Sequence, residues 1–256
     1  MDLSMQKINP IILIPARLGA SRLPNKPIAD IMGKTMIEHV YRRGVESGLG
    51  PVYVATPDQE IIDIIQKMGG NAILTSINHQ TGSDRIYEAI QKIDPAQKYN
   101  VIVNLQGDLP LIKPENLNKV VDPLLADENV DIATIASPIT NASDKNNVNV
   151  VKIALELSSK NPNIGRGVYF SRSLIPQTSN EDDVYYHHIG VYAFKREALE
   201  RFMTLPVSLL EKRERLEQLR ALASGMRIDV ALIDQIPQSV DTQDDLDRVR
   251  KQAVNF

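Results

Sequence analysis

Apolar positions along the chain alternate between two rhythms. Ile11-Ile12-Leu13-Ile14-Pro15 is an unbroken apolar run followed by turn residues, the pattern of a strand buried on both faces. Shorter runs recur at 52–55, 72–74 and 101–104. Between them the spacing becomes helical: Met36, Ile37, Val40 and Val45; then Ile61, Ile62, Ile64, Ile65 and Met68; then Ile86, Ala89, Ile90 and Ile93. Strand alternating with helix predicts a parallel sheet with right-handed crossovers. Such sheets bind ligands beyond the carboxyl ends of their strands, which directs attention to the loops after Ile14 and Asn104.

A helix with proline in its first turn is predicted over 114–126. The rhythm then changes. Segments 132–138, 148–155, 168–171 and 188–194 are strand-like with no long helix between them, while 141–149 and 176–183 are polar loops. Helical spacing resumes over 209–223, a strand returns at 227–233, and Leu246 and Val249 form the apolar stripe of a final helix over 243–252. The expected fold is α/β, one domain over 1–256. It comprises a mostly parallel Rossmann-like sheet with helices on both faces and a smaller antiparallel lobe at about 131–223.

Composition narrows the chemistry. The 256 residues include no cysteine, which excludes disulfides, thiolate metal sites and a cysteine nucleophile. A formal net charge of −3 gives no global positive field for a nucleic acid. The first apolar run is far shorter than the ~20 residues of a membrane helix, and the residues before it lack the features of a signal peptide. A cytoplasmic protein without membrane or nucleic-acid partners is the expectation.

The first loop, 15–27, carries Arg17, Arg22 and Lys26 among small residues and prolines. It matches neither a Walker loop nor a dinucleotide fingerprint. Three cations directly after a buried strand suit a phosphate, with arginine offering a planar fork and lysine a mobile point charge. The second loop presents Asp108 after Gly107 at the same edge, a candidate ligand for a hard cation such as Mg²⁺. Each residue alone also fits a plainer reading, a solvated basic loop or a turn-forming aspartate.

Further motifs follow in order: His79-Gln80-Thr81-Gly82-Ser83-Asp84-Arg85, Val103-Asn104-x-Gln106-Gly107-Asp108, Tyr169-Phe170-Ser171-Arg172, His188-Ile189-Gly190-Val191-Tyr192, Leu216-Glu217-Gln218-Leu219-Arg220 and Val240-Asp241-Thr242. With the first loop, this series resembles the 3-deoxy-manno-octulosonate (Kdo) cytidylyltransferases, the CMP-Kdo synthetases, over nearly the whole chain. The resemblance implies transfer of CMP from CTP to the anomeric hydroxyl of Kdo with release of pyrophosphate, for lipopolysaccharide assembly, by a Mg²⁺-dependent homodimer.

Carried across, the resemblance makes Arg17, Arg22 and Lys26 a triphosphate cradle, catalytic together with Asp108. Gly82, Ser83 and Asp84 fall on the turn that contacts the nucleoside, with Gln106 beside it. Asp108 and Asp241 fall on metal ligands. Gln106, Arg172, His188, Tyr192, Glu217 and Gln218 fall on positions around the sugar acid. Strand alternation independently puts His188 and Tyr192 on one face, with Gly190 between them and His187 on the other.

The chain departs from the family pattern at Leu109, where Glu is usual, and at His187, where Arg is usual. These changes leave Kdo and its 8-amino analogue both open as acceptors. Another sugar nucleotidyltransferase, active with UTP and a sugar 1-phosphate, and a silent nucleotide-binding module are the competing readings.

Overall fold

The first apolar run becomes the strand on which a parallel sheet is built. The computed structural model describes residues 8–19, 23–180 and 183–253. The described residues divide into two compact units, one formed by 9–118 with 237–253 and the other by 119–236 with residue 8.

In the first unit, strands and helices alternate as the spacing predicts. After β1 (Pro10–Pro15) come a small hairpin, β2 (Asp30–Ile31) and β3 (Lys34–Thr35), then α1 (Met36–Glu46), β4 (Val52–Thr56) and α2 (Gln59–Lys67). There follow β5 (Asn71–Leu74), α3 (Gly82–Ile93), β6 (Val101–Asn104) and α4 (Pro114–Asn118). The strand order is β5-β4-β1-β6 and every pair is parallel. Residues Ile11 to Ile14 are fully buried because the sheet is covered on both sides. Helices α1 and α2 touch each other and carry the chain outward from β1, whereas α3 packs on β1, β4 and β6 and carries it back. Right-handed crossovers running in opposite directions lie on opposite faces. The direction reverses between β1 and β6, so their carboxyl ends flank the switch-point crevice.

The hairpin turn is Met32-Gly33, both with positive φ (54° and 80°), as a two-residue turn matching strand twist requires. It delivers Thr35, whose backbone N–H and hydroxyl both donate to Glu38 and so cap α1. At the far end of the sequence, Val240, Leu246 and Val249 pack with Ile31, Met36 and Leu111 in one buried cluster. The last helix, Gln243–Ala253, is capped by Thr242 and Asp245.

The second unit contains α5 (Asp122–Ala126), β7 (Ile132–Pro138), α6 (Ala142–Lys145), β8 (Lys152–Leu157), β9 (Ile164–Ser171), β10 (Tyr186–Lys195), α7 (Arg196–Thr204), α8 (Leu209–Glu214), α9 (Leu219–Ala223) and β11 (Ile228–Leu232). Its strands run in the order β10-β7-β11-β9-β8, antiparallel except for the β7–β11 pair. The start of β8 also pairs with β10. Lys152, at that junction, is fully buried, and its ammonium donates to the carbonyls of Asn147 (2.8 Å), Val150 (2.7 Å) and Arg172 (2.7 Å).

Local expectations change: β9 begins at Ile164 rather than 168, and the short α6 sits in the loop expected over 141–149. The helix over 114–126 is two helices joined by a 3₁₀ turn, with Pro123 restarting the second. The strand expected from 148 begins at Lys152, and Val148 is exposed. The helix over 209–223 breaks at Arg215, whose φ of 55° ends α8. Helix α7 follows β10 without a gap and buries Ala198, Leu199 and Phe202. No helix among the described residues is long and apolar enough to cross a membrane.

Candidate active site

The loop after β1 is shaped by its backbone before its charges matter. Leu18 N–H donates to the Asp58 carboxylate (2.8 Å), fixing the exit from the strand. Asn25 takes the left-handed conformation (φ 57°), which asparagine tolerates, and Pro27 holds the 3₁₀ turn Lys26–Ile28 that follows. Across the crevice, a Cβ on Gly107 would sit 3.1 Å from the Pro15 carbonyl oxygen, so glycine lets the loop after β6 run close to the end of β1. Asp108 comes next, and its carbonyl accepts from Val240 N–H at 3.0 Å.

These three segments converge on one nitrogen. Lys26 Nζ donates to Asp108 Oδ2 (3.0 Å), Asp241 Oδ1 (3.1 Å) and the Val240 carbonyl (2.8 Å). The ammonium is largely withdrawn from water, with its side chain 17% exposed. Burial alone would lower its pKa, but the two carboxylates outweigh burial and hold it above the ordinary lysine value. Asp241 reaches this point because it does not cap the last helix: its own N–H donates to Asp245, which together with Thr242 forms the cap. Asp108 and Asp241 are therefore brought together.

The resulting cleft, of about 260 Å³, is lined by Arg17, Lys26, Gln106, Asp108 and Asp241. A neighbouring cleft of about 160 Å³ shares Pro15, Ala16, Arg17 and Gln106 and adds His79, Gln80, Thr81, Gly82 and Arg85. Arg17 is exposed where the two meet. Gln106 is oriented by the hydrogen bond that its Nε2–H donates to Asn104 Oδ1 (3.0 Å). Arg22 lies outside the described residues.

Of the proposed nucleoside turn, Gly82 alone lines the cleft. A side chain there would press on Pro15 Cγ at 3.2 Å. Ser83 is buried and Asp84 forms the capping box of α3 with Thr81. The cleft also holds Arg85 and His79, to which the sequence assigns no part beyond membership of the motif 79–85. Arg85 is 3% exposed and donates to Thr75 Oγ1 (2.6 Å) and Ser76 O (3.1 Å); burial, then Arg17, lowers its pKa. His79 bonds to Glu88, which also accepts from Ser76 N–H (2.8 Å) and pairs with Lys92. Burial would raise the Glu88 carboxyl, but these bonds hold it at about 2. The motif 79–85 was the one sequence signal for both.

The residues expected around a sugar acid all lie in the 119–236 unit, except Gln106. Strand β10 carries two extra residues relative to β7 between Ile189, opposite Ile135, and Tyr192, opposite Thr134. An even insertion preserves the alternation, so His188 and Tyr192 still share a face, with rings 5.4 Å apart. His188 is 6% exposed, packs edge-on against Phe170 and meets Thr134 Oγ1 through Nε2 at 3.0 Å. Burial, then neighbouring His187, lowers its pKa to about 3, so it is neutral. Burial and then Glu217 raise the Tyr192 phenol. Arg172 donates from its side chain to the carbonyls of Glu214 and Val148 (both 3.0 Å). Gln218 is 6% exposed, and its Nε2 has no hydrogen-bond partner among the described residues.

Among the described residues no group of three or more His, Asp or Glu side chains could hold a metal. Asp108 and Asp241 nevertheless already share one cation, and two carboxylates completed by phosphate and water oxygens are what Mg²⁺ commonly takes. The donor set fits.

Comparison with known proteins agrees with this architecture. The cytidylyltransferase family profile matches residues 11–228. The 3-deoxy-manno-octulosonate cytidylyltransferase of Paramagnetospirillum magneticum is 50% identical over 96% of this chain and 98% of its own. That of Methylobacterium radiotolerans is 50% identical over 94% and 96%. Among solved structures, CMP:2-keto-3-deoxy-manno-octonic acid synthetase complexed with CTP superposes with a TM-score of 0.88 at 36% identity, covering 96% of this chain and 99% of that one. The 4-diphosphocytidyl-2C-methyl-D-erythritol synthase of Anaerococcus prevotii (TM-score 0.62, 12% identity, 96% and 98% coverage) shares the fold. With sequence profile, full-length relatives and fold in agreement, the chain belongs to the cytidylyltransferase family, within its 3-deoxy-manno-octulosonate cytidylyltransferase branch.

Proposed function

We propose that this enzyme transfers CMP from CTP to the anomeric hydroxyl of Kdo, with release of pyrophosphate. The observation that carries the reading is the cleft at the ends of β1 and β6, which Arg17 and Lys26 line together with Asp108 and Asp241. Phosphoryl transfer asks mainly for positioning and for stabilisation of charge on phosphate oxygens. Arg17 offers a fork to those oxygens at the mouth, and Lys26 a flexible ammonium deeper in. The neighbouring cleft, walled by Gly82, Arg85 and Gln106, is the natural seat for the nucleoside.

Asp108 and Asp241 would hold Mg²⁺, which when bound supplies Lewis-acid polarisation of phosphate and a lowered pKa for an oxygen ligand. On the acceptor side, Gln218 contributes a buried N–H whose missing partner a sugar oxygen would supply. Neutral His188 and Tyr192 contribute hydrogen-bonding surface on the same strand face.

A homodimer goes with this reading. Exposed Val148, Val168 and Val184 on the 119–236 unit offer apolar surface for it, and sedimentation velocity of the chain and of Val168→Lys tests it. A cytoplasmic location also goes with it, because the reaction consumes CTP. The decisive assay is pyrophosphate release from each of the four ribonucleoside triphosphates, with and without Kdo. Release with CTP and Kdo together is expected. Release with UTP and a sugar 1-phosphate instead, or CTP binding without turnover, would overturn the proposal.

A further inference from the structure

Lys26 is a phosphate-binding cation by its position in the first loop, yet its ammonium is turned inward. All three of its N–H bonds go to protein acceptors, and two of those are the carboxylates assigned to a divalent ion. Asp108 Oδ2 and Asp241 Oδ1 converge on a single point, and that point is Nζ. An ammonium and a divalent ion cannot both occupy it.

The arrangement is built rather than incidental. Asn25 and Pro27 set the backbone on either side of Lys26, and the Val240 N–H to Asp108 carbonyl bond ties the two carboxylate-bearing loops together. The Val240 carbonyl then supplies the third acceptor. Without a cation, two carboxylates this close would repel each other. The lysine stem carries four rotatable methylenes, so the ammonium can swing to oxygens elsewhere in the same cleft without moving the loop.

We propose that Lys26 is a placeholder for the divalent ion: its ammonium keeps metal off Asp108 and Asp241 until triphosphate oxygens draw it away. The inference rests on the reading of this pair as a metal site and assigns an order to it, nucleotide before or together with metal. It makes Lys26 a gate on metal entry as well as a contact to phosphate.

The test measures Mn²⁺ binding by electron paramagnetic resonance and water-proton relaxation, independently of turnover. Wild type, Lys26→Met, Asp108→Asn and the Lys26→Met/Asp108→Asn double variant are each titrated with Mn²⁺ alone and again with CTP present. Wild type should bind Mn²⁺ alone at least ~10-fold more weakly than Lys26→Met, and the site gained in Lys26→Met should vanish in the double variant. Nucleotide-free affinity in Lys26→Met within twofold of wild type would overturn the gate. So would a gained site that survives Asp108→Asn. If Asp108→Asn leaves CTP-dependent Mn²⁺ binding intact, the metal site itself is misassigned and the gate falls with it. The two failures are thus distinguishable. Should Lys26→Met fold poorly, Lys26→Gln carries the same titration, and Mn²⁺ alone should raise its melting temperature more than it raises that of wild type.

Discussion

Titrating the histidines decides whether His188 works as a hydrogen-bonding group or as an acid–base group. Its Nε2 lies 3.0 Å from Thr134 Oγ1, and that hydroxyl lies 2.7 Å from the Val191 carbonyl. The hydroxyl has one proton, which it donates to Val191, so it accepts from His188 Nε2–H. Protonating the other ring nitrogen would create a buried cation, which is why the pKa falls to about 3. An unfolded histidine takes up its proton near pH 6.5, so between about 6.5 and 3 the unfolded chain binds more protons than the folded one. Stability is therefore lost as pH falls through that window, by up to ~1.4 kcal/mol per pH unit from this residue. His188→Gln keeps an amide N–H near the position of Nε2 and has nothing to titrate. It should cost ~1–2 kcal/mol at neutral pH through lost ring packing, and its deficit relative to wild type should shrink on acidification at the same rate. Urea denaturation at a series of pH values measures the deficit. The chain has four histidines, so the imidazole resonances can be followed singly by NMR. A His188 signal titrating near 6.5, or parallel stability curves, would refute the reasoning. The pH profile of kcat/KM should contain no inflection that His188→Gln removes.

Asp108→Asn and Asp241→Asn should each cut Mg²⁺-dependent pyrophosphate release by ~10²-fold or more, with the double variant little worse than the poorer single one, because both act through one ion. Steady-state kinetics against Mg²⁺ concentration measures this. Lys152→Met leaves three carbonyls without their buried donor and should lower stability by about 3 kcal/mol or more, read by calorimetry. One of those carbonyls belongs to Arg172, so KM for the acceptor should rise more than KM for CTP. Gln218→Met replaces a buried side-chain amide with an apolar chain of similar length. With no partner for that N–H among the described residues, the substitution should stabilise the free protein by ~1 kcal/mol while raising acceptor KM by ~10-fold, a pairing of effects that a purely structural glutamine would not produce.

The parallel frame was readable because Ile11 to Ile14 are buried on both faces and leave a continuous apolar run, which no solvent-facing strand would. The strand-end rule points from that frame to the loops holding Lys26 and Asp108. Helix α7 was hidden because it continues from β10 without a break, so the two apolar rhythms merge around Phe194. The break at Arg215 depends on one left-handed residue inside an otherwise helical charge pattern. The inward turn of Lys26 was equally invisible: a basic residue near an anion site reads as a phosphate contact, and only the conformation of Asn25 and the return of Val240 place two carboxylates around it. The Thr242 and Asp245 capping pair, by contrast, is legible in the sequence at the correct spacing.

The separation of Lys26 and Asp241 along the chain also governs when their ion pair can form. They stand 215 positions apart, with the whole 119–236 unit synthesised between them. At a ribosomal rate of ~5–20 residues per second, roughly 10–40 s pass after Lys26 is made before its second carboxylate exists. Over that interval Ile31, Met36 and Leu111 also wait for Val240, Leu246 and Val249 to cover them. A growing chain can pair its first four parallel strands early and still leave that apolar patch uncovered. If Asp108 and Asp241 hold the ion proposed above, fragments from interrupted translation, which carry Lys26 and Asp108 without Asp241, should release no pyrophosphate.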